Sequence, residues 1–372
     1  MRIFDRCMKI LQTRIYKLSI PMHPFRIATG TMYHAQNLFI RVETDEGLTG
    51  VGECSAFPMI VGETQTTCFE MAKEFARLWK NKDASPIEER LKDLDNFTAF
   101  NTTVKSAFDM ALYDLAAKQK GLPLFQYLNG SKKPLETDLT IGIDEPALMA
   151  ATALEFKNKG VRIIKIKLGK DGETDSLRVQ MIREAVGDSI RLRIDANQGW
   201  DYETAKDVLV KMGEYDIEFC EQPMRQWNDY RLPELRKISP IKIMADESVF
   251  DHHDALRLIL AGACDYVNIK FSKSGGIAEA LRIHKVCAEH HIPCMMGGML
   301  ESRLALTAFA HFALSQNNIQ FYDMDTCLLG HQVDPVEGGV QYNGYFLEVP
   351  DGPGIGADIK EDFLKDCEQI II

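Results

Sequence analysis

From about residue 137 onward, short apolar runs alternate with helical stretches, and no other feature limits the fold of this 372-residue chain so strongly. The runs fall at 137–143, 161–168, 190–195, 217–221, 241–246, 265–270, 292–297 and 319–323. Strands alternating with helix-length segments imply βα units and a parallel sheet. Eight of them are the count for a closed barrel. A doubly wound open sheet is the structural alternative. To bind a nucleotide it would need a glycine-rich phosphate turn after its first strand, and Gly142-Ile-Asp-Glu-Pro is not one.

The preceding segment reads differently. Period-two alternation predicts strands over 9–20, 38–44 and 48–53, with a proline-broken loop at 21–32. Spaced apolar positions predict helices over 64–81, 86–94 and 104–119. Residues 1–130 are therefore expected to form an α+β cap to which 345–372 return, around a barrel over 131–344. Met8 opens a second plausible start, which would make the first seven residues an extension. The formal net charge of -11 argues against nucleic acid and anionic membranes as partners. No run is long enough to span a bilayer, and Met1–Ile20 lacks the pattern of a secretory signal. Nine scattered cysteines, without metal-finger spacing, suit reduced thiols and a cytoplasmic location.

The second barrel run, Arg162-Ile-Ile-Lys-Ile-Lys-Leu168, puts Lys165 and Lys167 on one face of a strand. Taken alone, it is equally an exposed edge strand with lysines guarding against aggregation. The later strands change that reading, because they end in Asp195, Glu221, Asp246 and Lys270. From Lys167 the steps are 28, 26, 25 and 24 residues, each one βα unit. In a barrel these ends share one mouth, where barrel enzymes place their chemistry. A single Asp at a strand end is usually a cap. Three acids from three successive strands, flanked by lysines, would repel one another without a cation. Oxygen ligands with no Cys or His nearby suggest Mg²⁺, with Ca²⁺ or Mn²⁺ as lesser options. Lysines on strands two and six flank that metal from opposite sides. This arrangement suits removal of a proton beside a metal-held carboxylate by one neutral lysine and its return by the other. Crowding of Lys165 against Lys167 is expected to favour the neutral base. Glu247 is expected to pair with a lysine, and Glu301 with Arg303.

The ordered set Lys165-Ile-Lys167, Asp195-Ala-Asn197, Glu221-Gln-Pro223, Asp246-Glu-Ser248 and Asn268-Ile-Lys270 resembles the muconate-lactonizing subgroup of the enolase superfamily. The resemblance spans essentially the whole chain. It implies an α/β fold, a modified TIM barrel (β/α)7β with a cap built from both termini. It also implies Mg²⁺ on Asp195, Glu221 and Asp246, Lys167 and Lys270 as the acid/base pair, and Lys165 on the substrate carboxylate. The mandelate-racemase branch would need a His where Met295-Met-Gly-Gly-Met299 stands, so that branch is rejected.

Phe321-Tyr-Asp323-Met-Asp325 is similar to the Asp-x-Asp of the dipeptide epimerases, which implies a site for the ammonium of an N-terminal residue. Thr140 matches a substrate-contacting position of that family, and Gly297 and Gly298 would let backbone approach a ligand. Relatives acting on L-Ala-D/L-Glu carry an Arg where this chain has Gly30; Arg26 lies four residues earlier. With Ile27, Met32, Phe57, Met59 and Ile60 expected to line the cap, the expected substrate is an L-Ala-L/D-X dipeptide with X small or hydrophobic. A homo-oligomer is expected. The alternatives are an L-Ala-D/L-Glu epimerase, if Arg26 serves an acidic side chain, and a lyase or cycloisomerase of the same subgroup. A non-catalytic binding barrel is a further one. The lyases have no need of Asp323 and Asp325, and a binding barrel has none of two lysines with a complete metal set.

Overall fold

The computed structural model of the chain describes residues 8–372. The proposed extension before Met8 lies outside the described residues.

The N-terminal part is an antiparallel sheet of β1 (Ile10–Ile27), β2 (Gly30–Thr44) and β3 (Thr49–Ser55). The C-terminal strand Gln369–Ile371 pairs antiparallel with β1 at the opposite edge. Helix Thr102–Gln119 lies on β3 so closely that a Cβ on Gly52 would meet the Ala107 carbonyl at 1.9 Å. Only glycine allows that approach. Helices Gln65–Trp79 and Ile87–Phe97 complete the layer.

The loop expected over 21–32 is instead a hairpin, with β1 running to Ile27 and β2 beginning at Gly30. Its ladder shifts register between Pro21 and Phe25. Proline has no N–H to donate, so Pro21 and Pro24 break the ladder without ending the strand. The bulged stretch brings Met22, Pro24 and Phe25 over the barrel.

The eight expected barrel strands all form: β4 (Leu139–Ile141), β5 (Ile163–Lys167), β6 (Arg191–Asp195), β7 (Ile217–Glu221), β8 (Ile243–Ala245), β9 (Tyr266–Ile269), β10 (Cys294–Gly297) and β11 (Ile319–Asp323). They pair in parallel and in sequence order. At the seam the Asp138 N–H donates to the Tyr322 carbonyl at 3.2 Å. One layer inside the barrel is apolar, with Phe219, Met244 and Met295 packed by Tyr266 and Phe321. Arg193 is buried against this layer, its guanidinium 5.3 Å from the Phe219 ring and 5.2 Å from Phe321. Among the described residues the cysteines are free thiols, and no helix is long and apolar enough to cross a membrane.

Candidate active site

Lys167, Asp195, Glu221, Asp246 and Lys270 converge at the C-terminal ends of β5 to β9, together with Lys165. All are buried, and Lys165, Asp195, Glu221 and Asp246 are 0% exposed. Opposite charges alternate along the cluster. Lys167 Nζ is 2.6 Å from Asp195 Oδ2. Lys165 Nζ lies 3.3 Å from the same oxygen and 2.6 Å from Glu221 Oε2. Lys270 Nζ lies 3.8 Å from Glu221 Oε1 and 2.9 Å from Asp246 Oδ2. β5 and β9 are four strands apart in an eight-stranded sheet, so Lys167 and Lys270 reach the acids from opposite sides.

Each of the three acids has one oxygen tied down by the protein. Asp195 Oδ1 accepts from the Asn197 N–H at 2.9 Å, Glu221 Oε1 from Asn268 Nδ2 at 2.8 Å, and Asp246 Oδ1 from Lys273 Nζ at 2.6 Å. The other oxygens face the cluster. Glu221 Oε2 and Asp246 Oδ2 make no well-directed hydrogen bond although ammonium groups lie within ion-pair distance. Three buried carboxylates, each turning one oxygen towards the lysines (Asp195 Oδ2 accepting from Lys167, the other two without a directed hydrogen bond), fit a hard divalent cation. The titration pattern agrees. Burial and the neighbouring Asp195 push Glu221 up to about 7. Glu247, buried beside Asp246 and Asp195, rises to about 8. Burial raises Asp246, but Lys270 and Lys273 outweigh it and hold the carboxyl well below its usual range.

The turns that follow these strands hold the acids in place. Asn197, Gln198 and Gln222 adopt positive φ, so the chain bends sharply after Asp195-Ala196 and after Glu221. Gln222 then spans two strands. Its Oε1 accepts from the Asp246 and Ser248 N–H groups and its Nε2 donates to Ser248 Oγ.

A small cavity of about 90 Å³ opens above the cluster, between the β1–β2 hairpin and the barrel. Lys167, Thr140, Gly298, Asp323 and Asp325 line it, with an apolar wall that includes Met22, Pro24, Phe25, Met299, Leu300 and Leu329. Two larger grooves, one beside Lys17 and Glu368 and one between the cap helices and the barrel, contain none of the predicted site residues. Asp323 Oδ2 accepts from Lys165 at 2.8 Å, and Asp325 Oδ2 accepts from the Thr140 N–H at 2.6 Å. Burial and Asp323 raise the Asp325 carboxyl to about 7.

Several expectations need correction. Burial pulls Lys270, one of the pair expected to act as a neutral base, and its neighbour Lys165 down, but Asp246 and Glu221 on Lys270 and Asp323, Glu221 and Asp195 on Lys165 outweigh it and hold both above the ordinary lysine value. Crowding among the lysines therefore does not favour a neutral Lys270 here; the surrounding carboxylates decide. Ile27, Met32 and Phe57 are buried in the core, and neither they nor Met59 and Ile60 line the cavity. Arg26 is exposed and also lies outside the lining; its carbonyl accepts from the Ile143 N–H. Gly297 serves packing, because a Cβ there would meet Asn268 Oδ1 at 2.5 Å. Glu247 accepts from Asn197 at 3.3 Å rather than from a lysine. Glu301 binds Ser272 Oγ and the Met299 N–H, while Arg303 pairs with Asp334.

Sequence reasoning missed Lys273 and Asp138. Lys273 is fully buried, and it also donates to the Asp246 and Asn268 carbonyls. Asp138 has an oxygen within 4.8 Å of oxygens of Asp323 and Asp325, the tightest gathering of three potential ligands among the described residues. Its position two residues before Thr140 on a strand was the available signal.

Known proteins resemble this chain over nearly its whole length. The sequence matches the mandelate racemase / muconate lactonizing enzyme N-terminal domain over residues 10–129 and the enolase C-terminal domain-like family over 148–363. It is 44% identical to a D-Ala-D/L-Ala epimerase of Cytophaga hutchinsonii, covering 98% of this chain and all of that protein. A hydrophobic dipeptide epimerase of Enterococcus faecalis is 39% identical over 94% of this chain and 99% of its own. The solved dipeptide epimerase of C. hutchinsonii, complexed with Mg and D-Ala-L-Val, superposes with a TM-score of 0.97 over 98% of this chain and 100% of that one. The solved L-Ala-D/L-Glu epimerase of Bacillus subtilis gives 0.91 at 35% identity, over 94% and 99%.

Proposed function

The chain belongs to the mandelate racemase / muconate lactonizing enzyme family of the enolase superfamily, and we propose that it epimerises L-Ala-L/D-X dipeptides at the α-carbon of the second residue. The observation that carries this reading is the joint placement of two opposed lysines on a carboxylate cluster and an Asp-x-Asp on the wall of the adjoining cavity. A racemising site needs a base on each face of the α-carbon. A dipeptide additionally presents a free ammonium, which paired carboxylates favour.

Asp195, Glu221 and Asp246 would hold Mg²⁺ through the oxygens that face the lysines. When bound there, the ion stabilises the charge that develops on the substrate carboxylate as the α-proton leaves. The remaining roles fall to side chains. Lys167 takes the proton from one face, and Lys270 returns one on the other, inverting the centre. Lys165, tied to Asp323, Glu221 and Asp195, presents fixed positive charge where the carboxylate of the dipeptide binds. Asp323 and Asp325 receive the ammonium, with Thr140 orienting Asp325. Gly298, whose N–H donates to the Asp323 carbonyl, lets the chain run along the ligand.

The apolar cavity wall, with no arginine among its residues, supports a small or hydrophobic X. The relatives solved with D-Ala-L-Val and with L-Leu-L-Tyr point the same way. The physiological unit is taken to be a homo-oligomer, which sedimentation velocity would test.

The direct test is solvent exchange. The protein is incubated with Mg²⁺ and a library of L-Ala-L-X dipeptides in deuterated water. Gain of one deuteron by dipeptides with small or apolar X is expected. Exchange fastest with X = Glu would overturn the specificity. No exchange in any dipeptide would overturn the function and redirect attention to lyase substrates.

A further inference from the structure

The ammonium site has a third carboxylate. Asp138 lies at the β4–β11 seam, fully buried, with one oxygen within 4.8 Å of Asp323 and Asp325. Its Oδ2 accepts from Arg193 Nη1 at 2.8 Å, and its Oδ1 has no hydrogen-bond partner. Arg193 is 2% exposed. It also donates to Glu218 at 2.7 Å and to the Tyr322 carbonyl at 3.4 Å, the peptide adjoining Asp323.

Charge balance gives these contacts a function. Asp138, Asp323 and Asp325 are three acids with two cations in direct contact, Lys165 on Asp323 and Arg193 on Asp138. Neither cation is theirs alone, since Lys165 is shared with Asp195 and Glu221 and Arg193 with Glu218. With Asp138 Oδ1 unpartnered and Asp325 held by the Thr140 N–H, the group is short of donors and of positive charge beside the cavity. An ammonium group, with one charge and three donors, fills that deficit.

The geometry points to Asp138 as a positioning residue of the ammonium site: it cancels the Arg193 charge from below, leaving Asp323 and Asp325 free to attract the N-terminus of a dipeptide. The inference rests on the proposed dipeptide reading. It assigns the demand for a free amine to a residue one layer beneath the cavity. Removing Asp138 alone would act twice in the same direction, deleting a negative charge and uncovering a buried guanidinium. Removing both partners leaves neither charge unpaired.

Dissociation constants are measured with Mg²⁺ present for an exchanging L-Ala-L-X dipeptide and for the matching N-propanoyl-L-X, which lacks only the amine. The ratio of the two is compared in the wild type, Asp138→Asn and Arg193→Met/Asp138→Asn. The wild type is expected to favour the amine. Asp138→Asn is expected to reduce that preference at least tenfold, and the double variant to return it to within threefold of the wild type. A ratio changed less than twofold in folded Asp138→Asn overturns the inference, as does a double variant that falls as far as the single one. Should Asp138→Asn not fold, the double variant decides alone, with a tenfold fall counting against the inference. A wild type that does not distinguish the two ligands refutes the dipeptide reading itself, so the two failures are separable.

Discussion

At the scale of residues, the account depends on where single ammonium and carboxylate groups sit. Lys167 and Lys270 hold opposite ends of the run of alternating charges from Asp195 to Asp246. Replacing either with Ala should reduce epimerisation by about 10³-fold, the usual worth of a positioned acid or base, as measured by chiral chromatography of the product. His311 supplies a test of pH dependence away from the chemistry. It is fully buried, accepts the Phe125 N–H on Nδ1 and donates from Nε2 to the Ile355 carbonyl. Burial lowers its pKa to about 4. A histidine kept neutral in the fold contributes stability above its unfolded pKa, and that contribution is lost as pH falls from about 6.5 towards 4. The loss amounts to about 3 kcal/mol. Urea denaturation should show that much less pH dependence over this window in His311→Gln than in the wild type. The principal acids and lysines were legible in sequence because they recur at strand ends one βα unit apart. The groups that tie down their second oxygens were not. Lys273 sits in Phe271-Ser-Lys-Ser-Gly-Gly276, a composition that reads as a solvated turn, and only the fold turns it inward against Asp246.

Elements position these residues, and the contact between cap and barrel shows how. Glu53, on β3, accepts from Asn37 at 2.7 Å, from the Ser302 N–H at 2.8 Å and Oγ at 2.6 Å, and from the Ala305 N–H at 3.2 Å. It thereby caps helix Arg303–Ser315 from another layer, while Asn37 donates to the Leu300 carbonyl at 3.0 Å. Glu53→Ala would strand several buried donors and should cost about 2–4 kcal/mol in chemical denaturation. Because Met299 and Leu300 line the cavity just before that helix, KM should rise more than kcat falls. The β1–β2 hairpin was the element least legible in sequence. Pro21 and Pro24 signal a loop by every local rule, yet long-range pairing with β2 carries the strand through them. The cavity wall was misjudged for the same reason. A slip of a few residues at a bulge exchanges buried positions for lining ones, so Ile27 went to the core and Met22 to the cavity.

For the whole molecule, the parallel sheet fixes which side chains meet. Strand order follows chain order, so one charged residue per strand end becomes a ring, and residues four strands apart become opposite faces of one site. That is why the eight apolar runs were enough to foresee the architecture. The cap closes the ring from above and is itself held by both ends of the chain, through the pairing of Gln369–Ile371 with β1. Deleting those three residues should expose the β1 edge and lower the thermal midpoint by several degrees, read by calorimetry, with solvent exchange at the substrate retained below the transition. The central claim is that two lysines work from opposite faces of one α-carbon. Its most direct test is epimerisation and deuterium incorporation by Lys167→Ala and Lys270→Ala, each supplied separately with the L,L and L,D forms of the preferred dipeptide. The account predicts net epimerisation lowered about 10³-fold in either variant, with residual exchange favouring the form whose α-proton faces the surviving lysine, and therefore opposite forms in the two variants. Residual epimerisation above about a tenth of the wild-type rate in either variant, far beyond what loss of an acid/base group allows, would contradict it.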